Sequence, residues 1–180
     1  MRKRAIRQDI IDTASRLFYK QGYSNTGINQ IIEEAGVAKT SLYKYFDSKE
    51  DLLTAYLEQS GERTYSELVN AIGNATSATK KIIAVFDYLE QLVQQKDFHG
   101  CNFLNIIYEI PEDAVRAKEH IRLQKNNVRK LFSDTLRSSH KEGIADEVYT
   151  LYEGALFGNK VHNDIWPIDA ARKVATKLLQ

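Results

Sequence analysis

Apolar residues recur at helical spacing along almost the whole chain, and no stretch alternates in the way a half-buried strand would. Ile6, Ile10, Ala14, Leu17 and Phe18 form a first stripe that Gly22 ends. Ile28, Ile31, Ile32 and Ala35 form a short second one, with Thr26 as its expected N-cap and Gly36 as its stop. A third short segment is expected from Lys39 to Tyr45. Ser48 followed by Asp51 has the spacing of a capping box and opens a longer helix through Leu52, Leu53, Tyr56 and Leu57 towards Leu68. Gly73, Asn74 and Ser77 mark a break. Ile82, Ile83, Phe86, Leu89 and Val93 follow, then a short helix from Phe103 to about Ile110. Pro111 is expected to be the first residue of the next helix, with Glu112 and Asp113 favourable beside it and Gly143 as its end. Val148 to Val161 and a segment opening at Pro167 complete an all-α chain of about nine helices, without repeats or low-complexity segments.

Two of these helices stand out by their shortness. Residues 28–35 and 39–45 flank a tight turn at Gly36, where glycine takes a positive φ at no steric cost. Ile28, Ile31, Ile32, Val37, Leu42 and Phe46 suffice to pack this pair on the first helix. Thr40, Ser41, Tyr43, Lys44 and Tyr45 are then left largely outside. A short helix with hydroxyl and ammonium donors on its free face is what reading base edges in a major groove requires. Thr26, Lys39, Tyr45 and Lys49 at the edges suit phosphate.

Charge sharpens this picture. The 180 residues carry a net charge of only +1. Residues 1–49, however, hold nine basic side chains (Arg2, Lys3, Arg4, Arg7, Arg16, Lys20, Lys39, Lys44, Lys49) against five acidic ones, a net of +4 that leaves about −3 elsewhere. A basic head on an acidic remainder is the asymmetry expected if only the head meets phosphate. Hydrophobic residues make up 43%, enough for a core. No apolar run approaches the roughly 20 residues of a membrane span. Met1-Arg2-Lys3-Arg4 begins like a signal peptide, but Asp9, Asp12 and Arg16 interrupt the apolar stretch such a peptide needs, so a soluble cytoplasmic chain is expected.

The run from Ile10 to Gly22, then Tyr23, Thr26, Ile28 to Gly36 and above all Val37-Ala38-Lys39-Thr40-Ser41-Leu42-Tyr43-Lys44-Tyr45-Phe46-Asp47-Ser48-Lys49-Glu50-Asp51-Leu52-Leu53, resembles the TetR (tetracycline-repressor-like) family of regulators over residues 6–57. The chain departs from the family pattern at Gly27, where a second threonine is frequent, at Ile32, where alanine is usual, and at Thr40, where glycine is common. The resemblance implies a helix-turn-helix domain over residues 1–48 and a helical bundle over 49–180 for effector binding and dimerisation. The DNA-contacting set is then Thr26, Gly27, Lys39, Thr40, Ser41, Tyr43, Lys44, Tyr45 and Lys49. The implied function is a homodimeric repressor that leaves a double-stranded DNA operator when an unknown small molecule binds. The alternative is an all-helical enzyme or scaffold that keeps the head only for packing.

Beyond residue 57 the chemistry is sparser. Gly100-Cys101-Asn102-Phe103-Leu104-Asn105, with Glu109, is similar to a segment that some family members carry. Phe86, Cys101, Asn105, Tyr108, Phe132 and Trp166 are candidate pocket residues, aromatic walls with polar tips. Tyr152, Leu156 and Phe157 are candidate interface residues on a late helix. One cysteine excludes an internal disulfide and a cysteine-built zinc finger. Cys101 is read as a buried thiol, a pocket wall, or an electrophile sensor beside His99. His99, His120, His140 and His162 lack metal-ligand spacing, and no metal or cofactor is expected. No phosphate loop, nucleophile elbow or histidine–carboxylate pairing suggests an enzyme.

Overall fold

A computed structural model describes the backbone of residues 2–73 and 75–180, and side chains from Ala5 onward except Asn74. The expected break residue Asn74 and the side chains of Arg2, Lys3 and Arg4 therefore lie outside the described residues. Among those described there are nine α-helices, one short 3-10 turn and no strand. In order they are α1 (Arg2–Gln21), α2 (Ile28–Glu34), α3 (Lys39–Tyr43), α4 (Lys49–Ile72), α5 (Ala78–Val93), α6 (Asn102–Ile107), α7 (Val115–Arg137), the 3-10 turn (Glu142–Ile144), α8 (Ala145–His162) and α9 (Trp166–Leu178). None is long and apolar enough to cross a membrane.

These elements fall into two compact units. The first takes the described residues up to Glu62 together with Asn102–Leu123, and the second takes Arg63–Cys101 with Gln124–Gln180. Packing therefore groups α6 and the start of α7 with the N-terminal helices, a grouping that a cut after Ser48 does not follow.

In the first unit the α1 stripe is buried as its spacing predicts: Ile10, Ala14, Leu17 and Phe18 are all inside. Phe18 packs edge-to-face on Tyr23 and on Tyr56 of α4. Ser48 and Asp51 form the capping box, with Asp51 N–H donating to Ser48 Oγ at 3.1 Å and Ser48 N–H donating to Asp51 Oδ2 at 3.0 Å. Arg116 of α7 also donates to Asp51, at 3.0 Å. The Ser48 hydrogen bond first, and Arg116 second, hold the Asp51 carboxyl below its ordinary pKa. A group with a depressed folded pKa stabilises above the ordinary carboxylate range and loses that contribution as pH falls through the folded value. Asp51→Ala is thus expected to cost about 1 kcal/mol at neutral pH, with the gap to wild type closing below about pH 4. Thermal melts across pH check this.

In the second unit, Phe86, Leu89, Phe132, Leu136, Val148, Tyr152, Ala155 and Ile168 form one buried cluster from α5, α7, α8 and α9. Phe132 is its aromatic centre, tilted against Tyr152 at 5.4 Å and edge-to-face on Tyr149 at 5.8 Å. Ser77 caps α5 by accepting from Lys80 N–H.

Three sequence expectations change. Gly27, not Thr26, is the N-cap of α2. Pro111 does not open α7: its carbonyl accepts the Ala114 N–H in a turn, and the helix starts at Val115. The same helix stops at Arg137, well before Gly143, and His140 with φ +55° turns the chain after it.

Candidate nucleic-acid interface

The pair α2–α3 is anchored from below. Ile31, Leu42 and Phe46 are buried, so the remaining face of α3 is fixed in direction by what it cannot expose. Its second contact layer is polar. Gln21 of α1 donates to Gln30 at 2.9 Å, Gln30 donates to Glu34 at 2.9 Å, and Arg16 pairs with Glu34 at 2.6 Å. Those two donors depress the Glu34 carboxyl, Arg16 first. Gly36, at φ +63°, makes the turn into α3.

Lys39, Thr40, Tyr43 and Lys44 project from this platform as exposed side chains, and Gly27 is exposed at the start of α2. Lys39 Nζ lies 6.0 Å from the centre of the Tyr43 ring, within cation–π reach. Ser41 and Tyr45 are half-buried at the flanks. The structure thus brings together, on one short helix and its C-cap, two ammonium groups, a hydroxyl and a phenol.

Two of the expected contacts are held differently. Thr26 is only 1% exposed, and its hydroxyl donates to Gly22 O at 2.7 Å. It locks the α1–α2 turn, so its hydroxyl is not presented to phosphate. Lys49 is half-buried, with Nζ donating to Tyr23 O at 2.6 Å and lying 4.1 Å from the Tyr23 ring centre. Burial lowers its pKa, opposed by Glu109. Lys49 in this state ties the start of α4 to the α1–α2 turn.

Glu109 was not visible as part of this site in the sequence. Its carboxylate accepts the Ser24 N–H at 2.8 Å, and its carbonyl accepts the Ser24 hydroxyl at 3.3 Å. A Cβ on Gly22 would lie 2.8 Å from Glu109 Oε1, and Gly22 has φ +92°. Glycine suits this position by its backbone, and any side chain there would also have to displace the Glu109 carboxylate. The steric demand at Gly22 depends on a residue 87 positions away, and no local signal announces it.

The "Bacterial regulatory proteins, tetR family" sequence model matches residues 10–56, the span that builds this platform. Over those residues the chain is of TetR type. An uncharacterized HTH-type transcriptional regulator in the lacX 3′ region of Lactococcus lactis subsp. lactis is 27% identical over 170 residues, covering 90% of this chain and 87% of that protein. The HTH-type transcriptional repressor DhaR of Mycobacterium sp. (strain GP1) is 24% identical, covering 94% of this chain and 89% of the repressor. Among solved structures, SCO4454, a TetR-family transcriptional regulator from Streptomyces coelicolor, superposes with a TM-score of 0.87 over 97% of this chain and 94% of its own, at 24% identity, a likeness of fold. Two further proteins named as HTH-type transcriptional regulators match over shorter stretches, 41% and 31% of this chain and 37% and 30% of those proteins. With that head, the chain is a DNA-binding transcriptional regulator.

The other candidate residues separate. Phe86 and Phe132 are buried in the second unit and pack on Tyr152. Cys101 is partly exposed in the same unit. Trp166 is 52% exposed and lies against His162, outside that cluster. Tyr108 is 76% exposed and Asn105 half-buried, both on the first unit. Trp166 and Tyr108 are therefore surface side chains, the first at the opening of α9 and the second in the turn after α6. Tyr152 and Leu156 are not apolar surface: both belong to the α8 stripe with Val148 and Ala155 and are buried, leaving Phe157 exposed. No group of three or more histidine, cysteine or acidic side chains with metal-binding geometry occurs among the described residues.

Proposed function

We propose that the chain is a cytoplasmic homodimeric repressor whose residues 1–48 read an operator and whose residues 49–180 bind a small effector that releases it. It acts by binding, with no catalysis of its own. The observation that carries this is the exposed Lys39–Thr40–Tyr43–Lys44 face over a buried Ile31–Leu42–Phe46 anchor. Such a helix enters the major groove with its polar side chains on base edges and flanking phosphates. Ser41, Tyr45 and Gly27 border that face, while Thr26 and Lys49 set its position from beneath. The likeness to a protein named as a repressor supports the sign of regulation.

Dimerisation is supported by apolar surface on the last two helices. Phe157 is 51% and Val161 59% exposed, one turn apart on α8, and Val174 and Leu178 repeat the spacing on α9. A soluble monomer gains nothing from such stripes, whereas an isologous pair buries them. Two reading helices then fall in successive major grooves, roughly 34–36 Å apart or a multiple of it.

Fluorescence-polarisation titrations of operator duplex against salt test the assignment. Lys44→Ala is expected to weaken binding and to reduce the salt slope by about one. Tyr43→Ala is expected to relax sequence preference more than it changes that slope. Unchanged affinity and preference in both variants would remove α3 from the interface. A scaffold that keeps the head for packing would bind no duplex specifically at any salt.

A further inference from the structure

Four residues of the first unit meet at a single peptide group. Lys49 Nζ donates to Tyr23 O at 2.6 Å, and the Ser24 N–H donates to Glu109 Oε2 at 2.8 Å. Tyr23 O and Ser24 N belong to the same peptide, so an ammonium holds its acceptor end and a carboxylate its donor end. Both bonds are charge-assisted, and the peptide dipole is aligned with the two charges. The elements joined there lie at opposite ends of the reading motif. The Tyr23–Ser24 turn leads through Thr26 into α2, Lys49 opens α4 shortly after α3, and Glu109 sits in the turn after α6. The chain thus enters and leaves the α2–α3 pair at one clamped point. The Thr26 N–H also donates to Tyr23 O, at 3.2 Å, so a shift of the clamped peptide passes directly to the residue before the α2 cap. With 7 and 5 residues, α2 and α3 are too short to hold a direction by their own hydrogen bonds. Ile31, Leu42 and Phe46 anchor them from below, and the clamp fixes their ends.

We propose that Glu109 is a positioning residue for operator reading: by holding the Tyr23–Ser24 peptide from the side opposite Lys49, it keeps both ends of the α2–α3 pair in the arrangement that presents Lys39, Thr40, Tyr43 and Lys44. The inference rests on the reading of α3 as the DNA-contacting helix, and it adds to that head a residue from outside residues 1–48. In this role Glu109 acts through Ser24 and Tyr23 and makes no contact with DNA. Its charge has the wrong sign for phosphate. On electrostatics alone an acidic side chain in a DNA-reading unit opposes binding, and removing it strengthens binding. The clamp predicts the opposite sign. Without Glu109 the Ser24 N–H loses its acceptor, the turn is held from the Lys49 side only, and the reading arrangement becomes one of several that the head samples. Operator affinity then falls by the fraction of time that this arrangement is populated.

The test uses the full-length protein and the duplex it selects from a random library, with polarisation titrations at several salt concentrations and amide hydrogen exchange of the free protein by NMR. Glu109 is half-buried and outside the apolar core, so its truncation removes little packing. Glu109→Ala is expected to weaken binding roughly tenfold, as when the reading arrangement is populated about one time in ten. Its consensus and salt slope stay those of wild type, because the bound contacts are the same. Glu109→Gln, whose amide oxygen still accepts the Ser24 N–H, stays within about twofold of wild type. Exchange of the Ser24 amide accelerates in Glu109→Ala and not in Glu109→Gln, while Tyr56 and Leu57 inside α4 exchange as in wild type. Glu109→Ala that binds as tightly as wild type, or tighter, overturns the proposal. So does Glu109→Gln that binds as weakly as Glu109→Ala, or Ser24 exchange that is equal in all three proteins. Tyr56 and Leu57 losing protection together with Ser24 marks a merely structural role and overturns it too. Wild type that enriches no duplex overturns the DNA reading itself and this inference with it.

Discussion

Phe132→Ala is expected to lower the unfolding free energy by about 3–5 kcal/mol, the range for removing a buried aromatic ring from a packed core. Phe132 is 1% exposed and meets Tyr149 and Tyr152 through its faces and edge, so the loss combines buried apolar area with two ring–ring contacts. The site is closed in on several sides by helices whose backbones are fixed by their own hydrogen bonds, and little can collapse into the space. Phe132→Leu keeps most of the volume and is expected to cost about half as much or less. Denaturant unfolding followed by far-UV circular dichroism checks both. A loss under about 1 kcal/mol for Phe132→Ala would mean that the ring is not packed as described.

Phe157→Glu combined with Val161→Glu is expected to convert the proposed dimer to monomer and to lower operator affinity by about 10²–10⁴-fold, the scale lost when two linked binding heads become one. Both residues are exposed in the single chain, so their replacement costs the fold little. Two carboxylates from each protomer placed in an isologous contact would repel across the two-fold axis. Sedimentation velocity gives the assembly and polarisation gives the affinity. A double variant that remains dimeric, or a wild type that is monomeric while holding its operator, would separate dimerisation from this face.

How much of this was legible in the sequence depends on how far apart the cooperating residues lie. The α1 stripe, the Gly36 turn and the Ser48–Asp51 box are local patterns, and all three appear in the structure at those residues. The exposed face of α3 followed from Leu42 and Phe46 being its apolar positions. Helix ends were less legible. Thr26 has a good capping side chain, but its hydroxyl goes back to Gly22 O, one turn earlier, and Gly27 takes the cap. Pro111 suited a helix start by its fixed φ, yet its carbonyl closes a turn with Ala114 instead. On α8 the spacing Val148, Tyr152, Ala155 already placed Tyr152 on an inner stripe, and of the expected apolar surface Tyr152, Leu156 and Phe157 only Phe157 is exposed.

The remaining features join residues that no window along the chain contains. Glu109 reaches Ser24 across 85 positions, and Lys125 reaches Cys101 and Glu153 across 24 and 28. A helical stripe reports which side of a helix is buried. It does not report which helix covers it, so polar pairings between elements emerge only once the fold is known. The motif at residues 37–53 identifies a DNA-reading head. The cluster around Cys101 had to be found from distances.

The most direct test of sequence-specific reading by α3 is selection from a random duplex library with the purified protein, at two salt concentrations, followed by sequencing of the retained duplexes. The account predicts a two-fold symmetric consensus whose affinity falls steeply as salt rises, because phosphate contacts release counterions. Retention with no enriched sequence, or no retention at either salt, would contradict it.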